Sequence, residues 1–223
     1  MQIHVVNEAN RYLYQSELQA FFEARHRIYV EEKEWRTDDG TGLEIDQFDT
    51  EEATYLIGFD DQGQVMTGTR LVPTSQPHML SEVFPHLCDF TGVIRSDDVA
   101  EWTRGFIVPE YREAGIGPIK GQFCGMVMEY CLREGVTRIG GIQDLYWLPV
   151  WKRYKWSVRP IGNPAQVDGR WCVAAFFEVT PDARERAMKA GGLDRSILVH
   201  RGPYKPFIAN REIRLPERAS NAA

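Results

Sequence analysis

A carboxylate and a guanidinium lie three positions apart, at Glu101 and Arg104, inside an apolar run that is typical of a β-strand. In a regular strand these two side chains point to opposite faces, whereas in a bulged strand they can converge on one site. Burying charges in a core strand is costly unless partners or a ligand compensate for the lost water. The pair is therefore interpreted as part of a chemical site.

A second charged group lies upstream, where residues 42–49 carry Asp46 and Asp49, with Arg25 before them and Arg70 after them. Any one of these pairs, taken alone, could be a salt bridge that fixes a loop, because structural ion pairs are commoner than catalytic ones. The aromatic residues Tyr29 and Trp35 could likewise be core residues or ligand contacts. Only the joint spacing of these residues favours a site.

Together these residues resemble the acyl-homoserine-lactone synthases, the autoinducer synthases of bacterial quorum sensing. The resemblance runs from about Leu18 to Val108 and weakens afterwards. One position departs from the family pattern, since Tyr29 stands where the family usually has phenylalanine, which adds a hydroxyl to a ligand pocket. The motif positions of the family are matched in order by Arg25, Trp35, Asp46, Asp49, Arg70, Phe84, Glu101 and Arg104.

The resemblance implies two substrates, S-adenosylmethionine (SAM) and an acyl thioester, and neither a metal nor a bound cofactor. The methionine amine attacks the thioester carbonyl, and the methionine carboxylate then attacks its own γ-carbon, which expels methylthioadenosine and closes the lactone. Glu101 could take the proton of the amine, directly or through a water. Backbone N–H groups at a strand bulge near residues 106–108 are the expected donors to the oxyanion.

The same resemblance implies a SAM side at Arg25, Tyr29, Trp35, Asp46, Asp49 and Arg70. Arg70 and Arg104 are expected to orient the carboxylates or to hold the methionine carboxylate. An adenine ring and a cationic sulfonium are suitable ligands for the aromatic faces of Tyr29 and Trp35.

The stretch from Arg112 to Gly117, with Gly115 between them, resembles the coenzyme A pyrophosphate loop of the Gcn5-related acetyltransferases (GNAT), whose fold the lactone synthases share. Glycines at the start of a helix let backbone N–H groups approach phosphate oxygens, and the helix dipole favours the anion. A simple capping turn is the alternative. The loop therefore favours an acyl-CoA donor.

Residues 139–149 are expected to form the inner wall of an acyl pocket, where the bulky Tyr146 and Trp147 would shorten a tunnel. Ordinary core packing is the alternative. This aromatic wall resembles the subgroup that uses branched-chain or aryl acyl-CoA. An acyl carrier protein is the other donor considered, since a basic cluster could bind it. That cluster is Lys152, Arg153, Lys155 and Arg159, and the remaining residues expected on the acyl side are Phe84, Phe106, Val108, Gly141 and Gln143.

The pattern predicts one α/β domain over residues 1–223, with a mixed, mostly antiparallel central sheet flanked by helices. The resemblance implies that this domain has the GNAT-like three-layer fold. Residues 201–223 are expected to form a partly flexible tail. A loop over residues 36–49 is expected to cover the substrate. Helices are predicted within 12–34, 80–87, 119–134, 146–154 and 182–190, and strands at 54–59, 65–72, around 101–104, 137–142 and 171–179.

Composition excludes several other classes. A net charge of −6 without a long basic run argues against nucleic acid as a partner, and 43% apolar residues exclude a disordered chain. Without a signal segment or a run of eighteen apolar residues, the protein is expected to be cytosolic, with no membrane contact. The four cysteines lack zinc or disulfide spacing and are interpreted as reduced core residues.

Two alternatives from other classes stay open. The first is a GNAT-type N-acyltransferase that uses acetyl-CoA, which residues 112–117 support but which does not require Trp35, Asp46 and Asp49. The second is a non-catalytic module that binds an acyl ligand, which would tolerate the loss of Glu101. The scattered histidines match no hydrolase triad.

Overall fold

The structure is a computed structural model that describes residues 1–112 and 117–209. The predicted site residue Gly115 and the end of the predicted tail lie outside the described residues. Nine strands are described: β1 (Gln2–Val6), β2 (Thr54–Phe59), β3 (Val65–Pro73), β4 (Val99–Ile107), β5 (Arg138–Asp144), β6 (Val158–Pro160), β7 (Ala165–Val167), β8 (Arg170–Glu178) and β9 (Leu198–His200).

These strands form one sheet in the order β6-β8-β5-β4-β3-β2-β1-β9, with β7 also pairing with β8. The β1–β9 and β4–β5 pairs are parallel and the other pairs are antiparallel. The prediction of a mixed, mostly antiparallel sheet is therefore confirmed, as is the β2–β3 hairpin. The sequence analysis missed β1, β6, β7 and β9, and the last three are only three residues long, too short to show a period-2 pattern.

The described helices are α1 (Gln15–His26), α2 (Met79–Glu82), α3 (Pro118–Glu134), α4 (Leu148–Arg153) and α5 (Pro181–Ala190). A π-helical turn, Arg27–Glu32, continues α1, so the predicted helical region is divided in two. The predicted helix at 80–87 splits into α2 and the 3-10 turn Pro85–Leu87. As predicted, α3 stops at Gly135, whose φ of 74° is the left-handed conformation that glycine adopts readily.

Helices cover both faces of the sheet, which gives the three predicted layers. On one face α3 and α5 pack together, and Met126, Val127 and Ala187 are buried there. On the other face α1 buries Phe21 and Phe22 beside the sheet residue Tyr55. All four cysteines are buried and free of disulfides, which confirms their interpretation as core residues. None of the described helices is both long and apolar enough to cross a bilayer.

Candidate active site

Strand β4 is bulged at Arg104, as the spacing of its charges allowed. The register with β3 shifts between the pairs Thr103–Arg70 and Phe106–Gly68, and Arg104 has a φ of 53°. Because a bulge inserts one extra residue, it turns the side chain of Arg104 out of strict alternation. Of the backbone N–H groups near residues 106–108 that were expected to bind the oxyanion, that of Val108 already donates to the Met66 carbonyl at 2.9 Å. The expected oxyanion site otherwise stays a prediction.

A buried network of ions lies behind the bulge. It joins the arginines of α1, β3 and β4 to the acidic stretch before β2, and it has equal numbers of positive and negative side chains. The shortest contacts are 2.5 Å for Arg25–Glu44 and for Arg70–Asp46, and 2.8 Å for Arg25–Asp49 and for Arg104–Asp46. Its members are Arg25, Arg70, Arg104, Glu44, Asp46 and Asp49.

The arginines keep these carboxylates ionised. Burial opposes the charge on Asp49, but Arg25 and Arg70 outweigh it and hold the pKa of that carboxyl well below its usual range. Burial likewise opposes ionisation of Asp46, whose pKa is lowered because Arg70 and Arg104 outweigh it. The ion pairs therefore pin residues 44–49 to the sheet. The expected substrate-covering role of residues 36–49 is not supported, because none of them lines the cavity described below.

Glu101 is fully buried and points toward α2. Its two carboxylate oxygens accept the backbone N–H groups of Met79 at 2.8 Å and Leu80 at 2.7 Å. Burial raises the pKa of Glu101, although these N–H groups and His78 oppose the change. Glu101 and Arg104 make no ion pair with each other, but they meet around Met79, whose sulfur lies 3.5 Å from Arg104 Nη1. The catalytic role of Glu101 stays a prediction.

A cavity of about 450 Å³ opens where β4 and β5 separate. The two strands pair only from Val99–Arg138 to Glu101–Gly140, and beyond that point their residues face each other across the cavity. Of the residues predicted from the sequence, the cavity brings together Tyr29, Trp35, Arg104, Phe106, Arg112, Gly117, Gly141, Gln143, Tyr146 and Trp147. Those described but not lining it are Arg25, Asp46, Asp49, Arg70, Phe84, Glu101 and Val108.

One end of the cavity carries stacked aromatic rings and cations. Tyr29 and Trp35 stack with their ring centres 5.3 Å apart. Tyr29 stands where the family pattern has phenylalanine. Its additional hydroxyl donates to the Gly105 carbonyl at 2.9 Å and so connects the π-helical turn to the bulge. The Arg104 guanidinium lies 5.2 Å from the Tyr29 ring centre, and Lys33 Nζ lies 4.2 Å from that of Trp35.

The other end is walled by tryptophans. Trp151 is buried between Trp147, at 5.3 Å, and Trp156, at 5.1 Å, with both pairs of rings stacked. Its indole N–H donates to Gln143 Oε1 at 2.5 Å. Tyr146, expected in the inner wall, is instead 56% exposed at the mouth. The inner wall is therefore Trp151, which the sequence analysis missed although its spacing of four from Trp147 on a helix predicts a shared face.

Other lining or network residues also escaped the sequence analysis. Glu44 lies in the same acidic stretch as Asp46 and Asp49, so it could have been predicted as a member of the network from these neighbours. Asp144 lies within the expected wall, residues 139–149, but its pairing with Arg170 was not predicted. The two residues come from different strands, β5 and β8, and lie 3.6 Å apart at the cavity. No local pattern signals such a pair, because it exists only after the sheet has formed.

Comparisons with known proteins identify the family and the fold of this chain. The model of the autoinducer synthase family matches residues 9–187. Isovaleryl-homoserine lactone synthase of Bradyrhizobium diazoefficiens is 36% identical over 178 residues, which cover 79% of this chain and 80% of that one. A solved CoA-dependent acyl-homoserine lactone synthase, BjaI, with SAM and isopentyl-CoA, has a TM-score of 0.86 at 34% identity over 93% of this chain and 97% of that chain.

A putative N-acetyltransferase from Lactobacillus plantarum has a TM-score of 0.53 at 18% identity, covering 81% of this chain and 100% of that one, so it is similar in fold alone. The predicted GNAT-like fold is thereby confirmed. The prediction of an acyltransferase of the acyl-homoserine-lactone synthase type is confirmed by the family match and the relatives. The chain therefore belongs to the autoinducer synthase family.

Proposed function

We propose that the protein makes an acyl-homoserine lactone from SAM and a short branched-chain or aryl acyl-CoA, with release of methylthioadenosine. The observation that carries this proposal is the single cavity between β4 and β5, which has an aromatic, cationic end at Tyr29 and Trp35 and a tryptophan-walled end at Trp151. A space of this dual character can hold a polar nucleotide substrate beside an apolar acyl group.

The reaction needs the α-amine of SAM beside the thioester carbonyl. The amine nitrogen forms the new amide bond, the CoA thiolate leaves, and the amine loses its protons to a base or to water. The methionine carboxylate oxygen then bonds to the γ-carbon while the C–S electron pair passes to sulfur. Holding both substrates in place accelerates the first step, because the encounter becomes effectively intramolecular. It accelerates the second step, which is already intramolecular, by aligning the carboxylate with the γ-carbon.

Arg104 is the residue that we place against the methionine carboxylate. It lines the cavity, and its Nη2 and Nε atoms are held by Glu44 and Asp46 at 2.8–3.2 Å, so its guanidinium has a fixed direction. A guanidinium fixed in this way recognises a carboxylate without losing much side-chain entropy. Arg25, Arg70, Asp46 and Asp49 support Arg104 from behind, and Tyr29 and Trp35 contact the nucleotide.

Glu101 is proposed as a positioning residue. Since both oxygens already accept backbone N–H groups, the carboxylate orders the start of α2 against β4 next to the cavity residue Trp102. Proton transfer from the amine to Glu101 would need a change in these hydrogen bonds. A role of Glu101 as the general base is therefore a second hypothesis, which the pH profile of the Glu101→Gln variant tests.

The donor is proposed to be a CoA thioester because cationic groups gather at the mouth of the cavity. Arg112 lines it together with Gly117, which precedes α3, and Lys120 in the first turn of α3. Arg112 is held by Glu32 at 2.6 Å and by the Ile107 carbonyl at 2.8 Å. A helix N-terminus with flanking cations suits a pyrophosphate. The similar protein BjaI was solved with isopentyl-CoA, which is an acyl-CoA ligand of the same class.

The proposal is tested by measuring methylthioadenosine release with SAM and matched acyl groups on CoA or on carrier protein. Short branched acyl-CoA is expected to be used best, and Arg112→Ala to raise the Michaelis constant for CoA donors alone, since it removes a phosphate contact. Arg27→Ala is the matched control, because Arg27 makes a similar exposed ion pair, with Glu110, but does not line the cavity. Faster turnover with carrier-protein donors, together with an unchanged Michaelis constant for CoA donors in Arg112→Ala, would contradict the CoA assignment.

The tryptophan wall gives a prediction about chain length. Trp151→Leu is expected to shift donor preference toward longer acyl chains, because each methylene buried in the opened space gains about 0.8 kcal/mol. Trp147→Ala should act in the same direction but less, since Trp147 lies nearer the mouth and is only partly buried. Competition between acyl-CoA donors of increasing length measures the shift. The exposed Trp171, outside the cavity lining, is the control, and an unchanged preference in Trp151→Leu would contradict the assignment of the wall.

A further inference from the structure

The aromatic pair at the SAM end of the cavity already holds a cation of the protein itself. Lys33 Nζ lies 4.2 Å from the ring centre of Trp35 and 5.1 Å from that of Tyr29. The lysine is held there by the π-helical turn, because its backbone N–H donates to the Ile28 carbonyl at 3.0 Å. An ammonium at this distance from two aromatic rings is stabilised by them.

The charges around Lys33 do not neutralise it by direct contact. Glu32 precedes Lys33 in sequence, and Arg112 lies after β4. Asp144 and Arg170 face Lys33 from β5 and β8. Within residues 1–112 and 117–209, no carboxylate forms an ion pair with Nζ, although both Glu32 and Asp144 favour its charge from farther away. Burial lowers the pKa of Lys33 to about 8. The rings are therefore the closest groups that stabilise this ammonium.

We propose that the Lys33 ammonium competes with the sulfonium of SAM for the Trp35–Tyr29 site and disfavours that cationic sulfur relative to a neutral thioether. This inference rests on the proposed function, because it takes SAM to bind at these rings. Two guanidinium groups also lie near these rings, Arg104 at 5.2 Å from Tyr29 and Arg170 at 5.9 Å from Trp35, but Lys33 is the nearest of these three cations. Because like charges repel, the lysine must move aside or raise the free energy of bound SAM.

The consequence for the reaction follows from the charge change at sulfur. When the lactone closes, the carboxylate oxygen bonds to the γ-carbon and the C–S electron pair moves to sulfur, which becomes the neutral thioether of methylthioadenosine. A nearby ammonium raises the free energy of the sulfonium reactant more than that of a transition state in which its charge is already dispersing. Lys33 thus favours departure of the thioether through its charge.

The test compares SAM with S-adenosylhomocysteine, which has a neutral sulfur, in calorimetric binding to the full chain. Lys33→Met is expected to tighten SAM binding on the order of tenfold and to change binding of the thioether much less. Its kcat and its KM for SAM should fall together, as they do when ground-state strain is removed. Lys33→Arg keeps the charge and should follow the wild type. Lys189→Met is the control, because Lys189 is an exposed lysine of α5 that does not line the cavity.

A pH series gives a second readout that needs no variant to fold. The wild type should gain SAM affinity relative to S-adenosylhomocysteine as the pH rises through about 8, because Lys33 then loses its charge. The sulfonium makes the amine of SAM more acidic than that of S-adenosylhomocysteine, so the amine titration of each free ligand is measured and subtracted before the two affinities are compared. Weaker SAM binding in Lys33→Met, or equal changes for both ligands, would overturn the inference. If the wild type instead binds no SAM and forms no methylthioadenosine, the proposed function itself fails.

Discussion

Glu101→Gln is expected to lower turnover by about 10² or more, which is the scale on which a lost general base or its equivalent acts. The amide has one acceptor oxygen where the carboxylate has two, so its NH₂ group would face the N–H of Met79 or Leu80. The start of α2 would shift, and with it the Met79 sulfur beside Arg104. Steady-state release of methylthioadenosine measures the loss.

The control is Glu82→Gln in the same helix, where the carboxylate is half-exposed and pairs with Arg95 at 3.6 Å. It should change turnover little. The pH profile of kcat/KM separates the two roles of Glu101. Loss of the acidic limb in Glu101→Gln would assign a base, whereas a lowered profile of unchanged shape, with a lower melting temperature, would assign a positioning residue. Near-normal turnover contradicts both.

Arg70→Met is expected to lower the free energy of unfolding by about 3–5 kcal/mol, the usual cost of removing one partner from a buried ion pair. Arg70 is fully buried, and its Nη1 lies 2.5 Å from Asp46 and 2.9 Å from Asp49, so the substitution strands a buried negative charge. Urea unfolding measures the change.

Arg11→Met is the matched control, because Arg11 pairs with Glu8 at 2.9 Å where both side chains are exposed, and such pairs contribute about 0–1 kcal/mol. Adding Asp46→Asn to Arg70→Met should recover part of the lost stability by removing the unpaired charge. A loss below about 1 kcal/mol in Arg70→Met would mean that water reaches the network and replaces the guanidinium.

Local patterns carried enough information to predict much of the fold. The hairpin between β2 and β3 follows from two β-type runs joined by the Asp and Gly residues of 60–63, where Asp60 accepts backbone N–H groups of the turn. The stop of α3 at Gly135 follows from glycine at the position where a left-handed residue ends a helix. Both depend on neighbours in sequence, so the sequence alone suffices.

The parts of the site that were missed depend on distant segments. Glu101 binds α2, which lies 21–22 residues before it in sequence, and this contact exists only because β4 lies beside that helix. Lys33 lies in a polar stretch with no periodicity. Its position over Trp35 results from a π-helical turn, which the residue types in that turn do not predict. The family motif found the residues behind the cavity more readily than those lining it, because ion pairs constrain residue type more than apolar walls do.

The charge balance of the buried network constrains how this protein can change over evolution. Arg25, Arg70 and Arg104 are matched by Glu44, Asp46 and Asp49, so the network adds little net field to the cavity beside it. Loss of one acid would leave an extra positive charge next to the proposed binding site of the cationic SAM, and loss of one arginine would leave an acid unpaired. Substitutions here should therefore be tolerated only in charge-neutral pairs, and an engineer who alters this region must redesign both members at once.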